Sequence, residues 1–422
     1  MSLSALRHAL RAPAEGAVKR HSGHSARRHG AGFWLIASAF VTAMAFSTVP
    51  TPLYPLYQAR DGFSTFTVTI VFAVYAVGVL ISLLLTGHVS DWLGRRKVLI
   101  TALTLELVAA ALFLTDQSVP VLLVARLITG LGVGMLTATA TAHLHELHSA
   151  HRPGASSQRF EIVSTAANIG GLGFGPLVAG LLAQYLDAPL RLPYLVFGAL
   201  LLISIAAVAL TPETVEKRPV RPAYRPQRVS ADHGDPAGYL AAAAAGFASF
   251  AVFGLFTSLA PQFVGDTLHH PSRALAGLTV FAVFGAAAAA QTLTSRLDAT
   301  VRSNLGLFAQ AAGMAALAVG MQTASLPVFL VAGIVAGSGA GVLFKSAVGT
   351  VVAMATPAKR GEALAGLFLI SYLGLALPAI GLGIATRYTT VTTAMTWFTG
   401  ALLALLTTAG VLARRTGPRP RG

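Results

Sequence analysis

Cysteine is absent from the 422 residues, so disulfides, a thiol nucleophile and cysteine-ligated metal centres are excluded. Charge is scarce too: 11% of residues are charged, against about a quarter in an average soluble domain. Acids are the scarcer sign, 15 against 30 Lys and Arg, which leaves a formal net charge of +15. No phosphate-binding glycine loop, metal-ligand set or nucleophile–base constellation stands out. An ATPase or other enzyme is therefore disfavoured, and no cofactor or metal is expected.

What the chain has instead is apolar length. Hydrophobic residues make up 55% of it and fall into runs of about 20, enough to cross a bilayer as helices. Twelve spans are expected, near 33–54, 64–86, 98–115, 120–142, 160–185, 193–211, 238–262, 274–294, 304–321, 327–353, 361–385 and 391–412. Only Arg60, Arg191, Arg273 and Arg387 fall in the segments on one side, and Arg126 and Lys345 lie within spans; every other Lys and Arg falls on the opposite side. By the positive-inside rule both termini are cytoplasmic, in a multi-pass protein of the cytoplasmic membrane. The same distribution explains the basic balance as attraction to anionic lipid and argues against nucleic acid as a partner.

Residues 1–32, rich in Arg, His, Ala and Ser, read as a disordered basic tail, with a transit peptide as the other reading. Residues 33–211 form one group of six spans and 238–412 a second. The polar, proline- and arginine-rich 212–237 joins them as a cytoplasmic linker, and 413–422 is a short basic tail.

Four charges crowd one turn between two apolar runs. Gly87 to Lys97 reads Gly-His-Val-Ser-Asp-Trp-Leu-Gly-Arg-Arg-Lys. A carboxylate at a helix start meets unpaired N–H groups and the positive end of the dipole, while the cations hold the turn in the aqueous interface. Gly87, Asp91, Gly94, Arg95 and Arg96 resemble the loop 2–3 signature of the major facilitator superfamily, Gly-x-Leu-a-Asp-r-x-Gly-Arg-Arg/Lys. Val89 and Trp92 depart from it, and Trp92 puts one family salt bridge in doubt.

Two further stretches strengthen the resemblance. In span 4, Arg126, Gly130 and Gly132 match the pattern Arg-x-x-Gln-Gly-x-Gly, with Thr129 replacing the Gln. In span 5, Gly171, Gly175, Pro176, Ala179 and Gly180 resemble the antiporter motif Gly-x-x-x-Gly-Pro-x-x-Gly-Gly, with Ala179 the departure. The resemblance implies a fold of twelve transmembrane helices in two pseudo-twofold halves. It also implies a conformational switch at the Asp91 loop that contacts span 11, and a monomeric carrier of a small-molecule substrate.

The halves repeat in the sequence itself. Ser325 to Ala332 matches Ser118 to Ala125; at the same offset Gly337, Gly339 and Gly341 repeat Gly130, Gly132 and Gly134, and Asp298 and Arg302 repeat Asp91 and Arg95. Arg126 has Gly333 as its counterpart and Lys345 has Ala138, so each charge belongs to one half alone.

Charges at membrane depth are functional candidates by default. Glu106 in span 3 reads as a structural acid or a proton-coupling one. Arg126 cannot shed its charge, so it needs a carboxylate, a polar backbone group or a water-filled cavity. Arg126, Glu106 and Asp91 are the candidates for proton coupling; for Arg126 the resemblance implies that role, and a helix-locking ion pair is the other reading. Lys345 is read as snorkelling to the interface or as a substrate or coupling group. Tyr54 and Tyr57, beside Pro50, Pro52 and Pro55, read as interfacial anchors. His143, His145, Glu146, His148 and His151 read as polar residues of the loop between spans 4 and 5 rather than as a metal site.

The function expected is proton-coupled efflux of small, drug-like or metabolite compounds. The alternatives are a facilitator or proton symporter for sugar or organic-acid uptake, and a membrane sensor or scaffold without transport.

Overall fold

The computed structural model describes residues 27–116, 118–216, 224–229, 235–356 and 359–416. Among them, twelve helices are long and apolar enough to cross a membrane. The first six are α1 (Arg27–Asp61), α2 (Thr65–Thr86), α3 (Arg95–Thr115), α4 (Val119–His151), α5 (Gln158–Tyr185) and α6 (Leu192–Leu210). The second six are α7 (Pro236–Ser258), α8 (Arg273–Leu293), α9 (Ala299–Gln322), α10 (Leu326–Met354), α11 (Arg360–Ala385) and α12 (Val391–Leu412).

Several expectations change at the helix ends. Residues 1–26 of the expected tail lie outside the described residues, and α1 already begins at Arg27, so residues 27–32 are helical. α1 is interrupted by a turn at residues 49–50 and a tighter helical turn, Thr51–Leu53, where prolines remove backbone donors. Tyr54 and Tyr57, just beyond, are buried rather than interfacial, and the Tyr57 and Tyr194 hydroxyls pair at 3.0 Å. α4 runs on to His151, so the histidines expected in a loop sit on a helix instead. Polar side chains do not end a helix once it leaves the membrane; they only change its solvent.

α5 carries a π-helical turn at Ala166–Gly170, ahead of Pro176. Such a turn inserts one extra residue into the helical winding.

The internal repeat appears as repeated packing. α4 lies against α2 and α3, and α3 against α6; α10 lies against α8 and α9, and α9 against α12. The repeated glycines explain it. Gly130 and Gly134 meet the backbone and Ser82 of α2, and Gly337 and Gly341 meet Val283 and Ala287 of α8. Gly132 faces α3, and Gly339 faces α9. In lipid, helices gain little from burying apolar surface, so small residues that admit close backbone packing set the contacts.

The two groups of six meet through α2 against α11 and α5 against α8. The α5–α8 crossing is tightest where Gly180 meets the Arg273 backbone and Gly277, and Gly277 meets the Pro176 backbone. Gly383 of α11 lies against Thr69 of α2 at the same end. Arg273 adds two bonds across the junction, from its N–H to Gln184 Oε1 and from Nη1 to Ala183 O, each 2.9 Å. The halves are thus sealed at the end that carries Arg60, Arg273 and Arg387.

A Cβ at Gly130 would meet the Tyr75 carbonyl and the Gly78 Cα, whereas one at Gly170 meets nothing within 4 Å. Gly130→Val is therefore expected to lower the thermal midpoint in detergent by about 5 °C or more, with Gly170→Ala close to wild type; scanning fluorimetry of the purified variants checks both.

Candidate functional site

At the opposite end of the bundle, the Asp91 loop forms a charge network. Asp91 lies in a short helical turn, Ser90–Leu93, and Gly94 follows with φ +105°, a conformation suited to glycine. Arg95 then opens α3. Its Nη1 donates to Ser90 Oγ at 2.6 Å and to Asp91 Oδ1 at 2.5 Å, while Nη2 donates to Glu146 Oε1 at 2.9 Å. Glu146 sits near the end of α4 and accepts a further bond from Thr214 Oγ1.

Glu213, just past α6, caps α3 from a distance. Its carboxylate accepts the N–H groups of Arg95 at 3.0 Å and Arg96 at 3.1 Å, satisfying donors left open at a helix start. A Cβ on Gly94 would lie 2.7 Å from Glu213 Oε2, so this cap requires the glycine twice over. Arg96 Nη1 also donates to Thr211 O. The network ties the start of α3 to the ends of α4 and α6. Among the described residues no hydrogen bond or ion pair joins the Asp91 loop to α11, the partner that the loop motif implies.

Between the halves lies a cavity of about 690 Å³. Its wide end, on the side of the Asp91 loop, is lined by His145 and Glu146 of α4, Glu161 of α5, Gln291 of α8 and Lys345 of α10. Lys345 lies on the cavity wall, where its Nζ donates to Gln291 O at 3.1 Å. Glu161 accepts from Ser157 Oγ at 2.6 Å. Toward the sealed end the walls close to a pocket of about 100 Å³, which shares Thr137, Asn168, Ile169, Phe344, Phe368 and Tyr372 with the wide part. Arg126 forms part of the wall of this blind end, 2% exposed, with Nη1 donating to Ser47 O at 2.6 Å.

A closed-end cavity between two similar six-helix halves is the architecture of a known group of membrane carriers, and comparison with known proteins bears this out. The profile of the Major Facilitator Superfamily matches residues 35–377. The chain belongs to the major facilitator superfamily. Members of this family are transporters. An uncharacterized MFS-type transporter of Mycobacterium tuberculosis is 25% identical over 169 residues, 40% of this chain and 28% of that protein. The arabinose-proton symporter of Bacillus subtilis is 34% identical over 83 residues, 20% of this chain and 18% of the symporter. Monosaccharide-sensing protein 2 of Arabidopsis thaliana is 34% identical over 77 residues, 18% of this chain and 11% of that protein. Each match thus spans less than a third of the relative's length. The crystal structure of the human organic anion transporter TETRAN has the same fold, with a TM-score of 0.67 at 17% identity, covering 90% of this chain and 99% of that one.

Within this family fold, the residues singled out from the sequence fall in separate places. Asp91, Arg95 and Arg96 sit in the loop network, outside the cavity. Glu106 is fully buried between α3 and α4, against Gly132, with neither carboxylate oxygen hydrogen-bonded. It lines neither part of the cavity, and no salt bridge joins it to Arg126. The span 5 glycines face two ways: Gly171 and Gly175 pack on α1 at Met44 and Ala45, and Gly180 packs on α8.

The sequence did not single out the aromatic wall made by Phe250, Phe344, Phe368 and Tyr372. Nor did it reveal Glu213 as a cap, although Thr211-Pro212-Glu213-Thr214 resembles a common family ending of span 6.

The two ion pairs of Arg95 differ in exposure: the Asp91 side chain is 56% exposed and that of Glu146 32%. Solvent screens the first pair more. Glu146→Gln is expected to destabilise the protein by about 1–3 kcal/mol and Asp91→Asn by less than about 1 kcal/mol, as read by denaturant unfolding of the two variants.

Proposed function

We propose that the protein is a secondary active transporter that exports small molecules across the cytoplasmic membrane by alternating access, driven by proton entry. The observation that carries this reading is the cavity between the halves, sealed at one end by backbone contacts and open at the other. A carrier of this kind needs a central site reached from one side at a time. The end rich in Lys and Arg faces the cytoplasm in this reading, which makes the conformation inward-open. The carrier acts as a monomer, with anionic lipid around its basic end.

Three features support export coupled to protons. The span 5 glycines, which resemble the antiporter motif, pack α5 between α1 and α8 and close the outer route. The wide cavity is lined by ionisable side chains, among them Glu161, Glu146 and His145. Arg126 supplies a fixed cation at the blind end, against which a proton or an anion can be exchanged. In this cycle the Asp91 loop, now tied to α4 and α6, re-forms its contacts when the inner end closes.

Proton symport is the second reading, favoured by the match to an arabinose-proton symporter. The aromatic wall argues for an amphipathic compound rather than a sugar, which needs hydrogen-bonding partners around its ring.

Proteoliposomes loaded with a pH-sensitive dye decide between these. With a panel of drugs and metabolites, wild type is expected to move protons opposite to the substrate. Arg126→Ala is expected to lose at least about tenfold of that movement, and the effects of Glu106→Gln and Asp91→Asn grade the other two positions. Proton movement in the direction of the substrate would make it a symporter, and substrate flux without protons a facilitator.

A further inference from the structure

The blind end of the cavity contains a charge without a counter-charge. Among the described residues Arg126 makes one hydrogen bond, to Ser47 O, and its Nε is buried with no partner. Its guanidinium lies 4.5 Å from the centre of the Tyr75 ring and 6.0 Å from that of Phe72. The Tyr75 ring face stabilises the cation from one side, and Arg126 itself lines the pocket. No Asp or Glu lines this pocket. Glu106, the acid of the neighbouring helix, is turned into the α3–α4 interface against Gly132.

A guanidinium stays charged, and a buried charge is costly unless paired. The pocket is therefore built for an anion that arrives from outside the protein. The planar fork suits a carboxylate, which it can hold with two parallel bonds. What lies beyond the fork is aromatic. The Phe250 ring is 4.9 Å from Phe344 and 5.1 Å from Tyr372, and Phe344 is 5.8 Å from Phe368. The charged residues of the wide end are of both signs, Lys345 with Glu146 and Glu161, so sign selection falls to the blind end.

We infer that the pocket binds an amphipathic organic monoanion, an aromatic carboxylate whose charge sits on Arg126 and whose ring lies among Phe250, Phe344 and Tyr372. Arg126 belongs to α4 of the first half, whereas Phe250, Phe344 and Tyr372 belong to α7, α10 and α11 of the second. The ligand then bridges the halves, and only a molecule with both a charge and a flat apolar body engages both. That this anion is the transported compound rests on the export reading above; that it binds does not.

Three compounds that share one ring system test this on the purified full-length protein in detergent: 2-naphthoate, 2-naphthalenemethanol and 2-naphthylmethylammonium, measured by calorimetry. The naphthoate is expected to bind at least about tenfold tighter than the alcohol, with no measurable binding of the ammonium. Arg126→Gln is expected to bring naphthoate down to the level of the alcohol, and Arg126→Lys to keep part of the preference. Equal affinity for the alcohol or the ammonium in wild type would overturn the inference, and needs no variant to fold. So would chloride alone raising the thermal midpoint as much as naphthoate does, because the ring would then contribute nothing. Anion binding that depends on Arg126, without flux in proteoliposomes, would sustain this site and sink the export reading. Flux of neutral or cationic compounds with no anion binding would do the reverse.

Discussion

Close approach of helix backbones is the constraint on which this molecule depends. In a lipid environment apolar side chains gain little from meeting one another, so contact geometry is set where side chains are absent. Gly78 against Gly130 fixes α2 on α4, and Gly180 against Gly277 fixes α5 on α8. Where the glycines stop, bulk begins: Phe250, Phe344, Phe368 and Tyr372 of the second half line the cavity between the halves. The sealed end and the cavity are therefore two ends of the same crossings.

Charge is held in two different ways. At the Asp91 loop, Arg95 is shared by Asp91 and Glu146 while Glu213 caps the helix it starts, so the arginine has opposite charge on either side. Arg126 has instead a carbonyl and two aromatic faces. The first arrangement is a mechanical clasp within one half. The second leaves electrostatic work undone, and a site with work undone is where a ligand is recognised.

The number of spans, the loop motif and the repeat were legible because each is local: an apolar run of membrane length, or residues a few positions apart. Helix rotation was not legible. A soluble helix advertises its inner face by polarity, but a membrane helix is apolar all round. Nothing in the sequence separates Phe344, on the cavity wall, from Phe308 at 59% exposure or Trp397 at 64%. Tyr54 and Tyr57 misled for the same reason, since prolines marked a helix end that the fold then buried. The Glu213 cap joins residues 118 positions apart, and no local pattern carries that information.

The π-helical turn of α5 has a bearing on how the two halves can be compared. One extra residue in a helix rotates everything beyond it by about 100° relative to an uninterrupted helix. α11, which stands in the second half where α5 stands in the first, is α-helical throughout Arg360–Ala385. The halves consequently share a path for this helix but not a phase. Beyond Gly170, the face that α5 turns to its neighbours is set by that extra residue, which has no counterpart in α11.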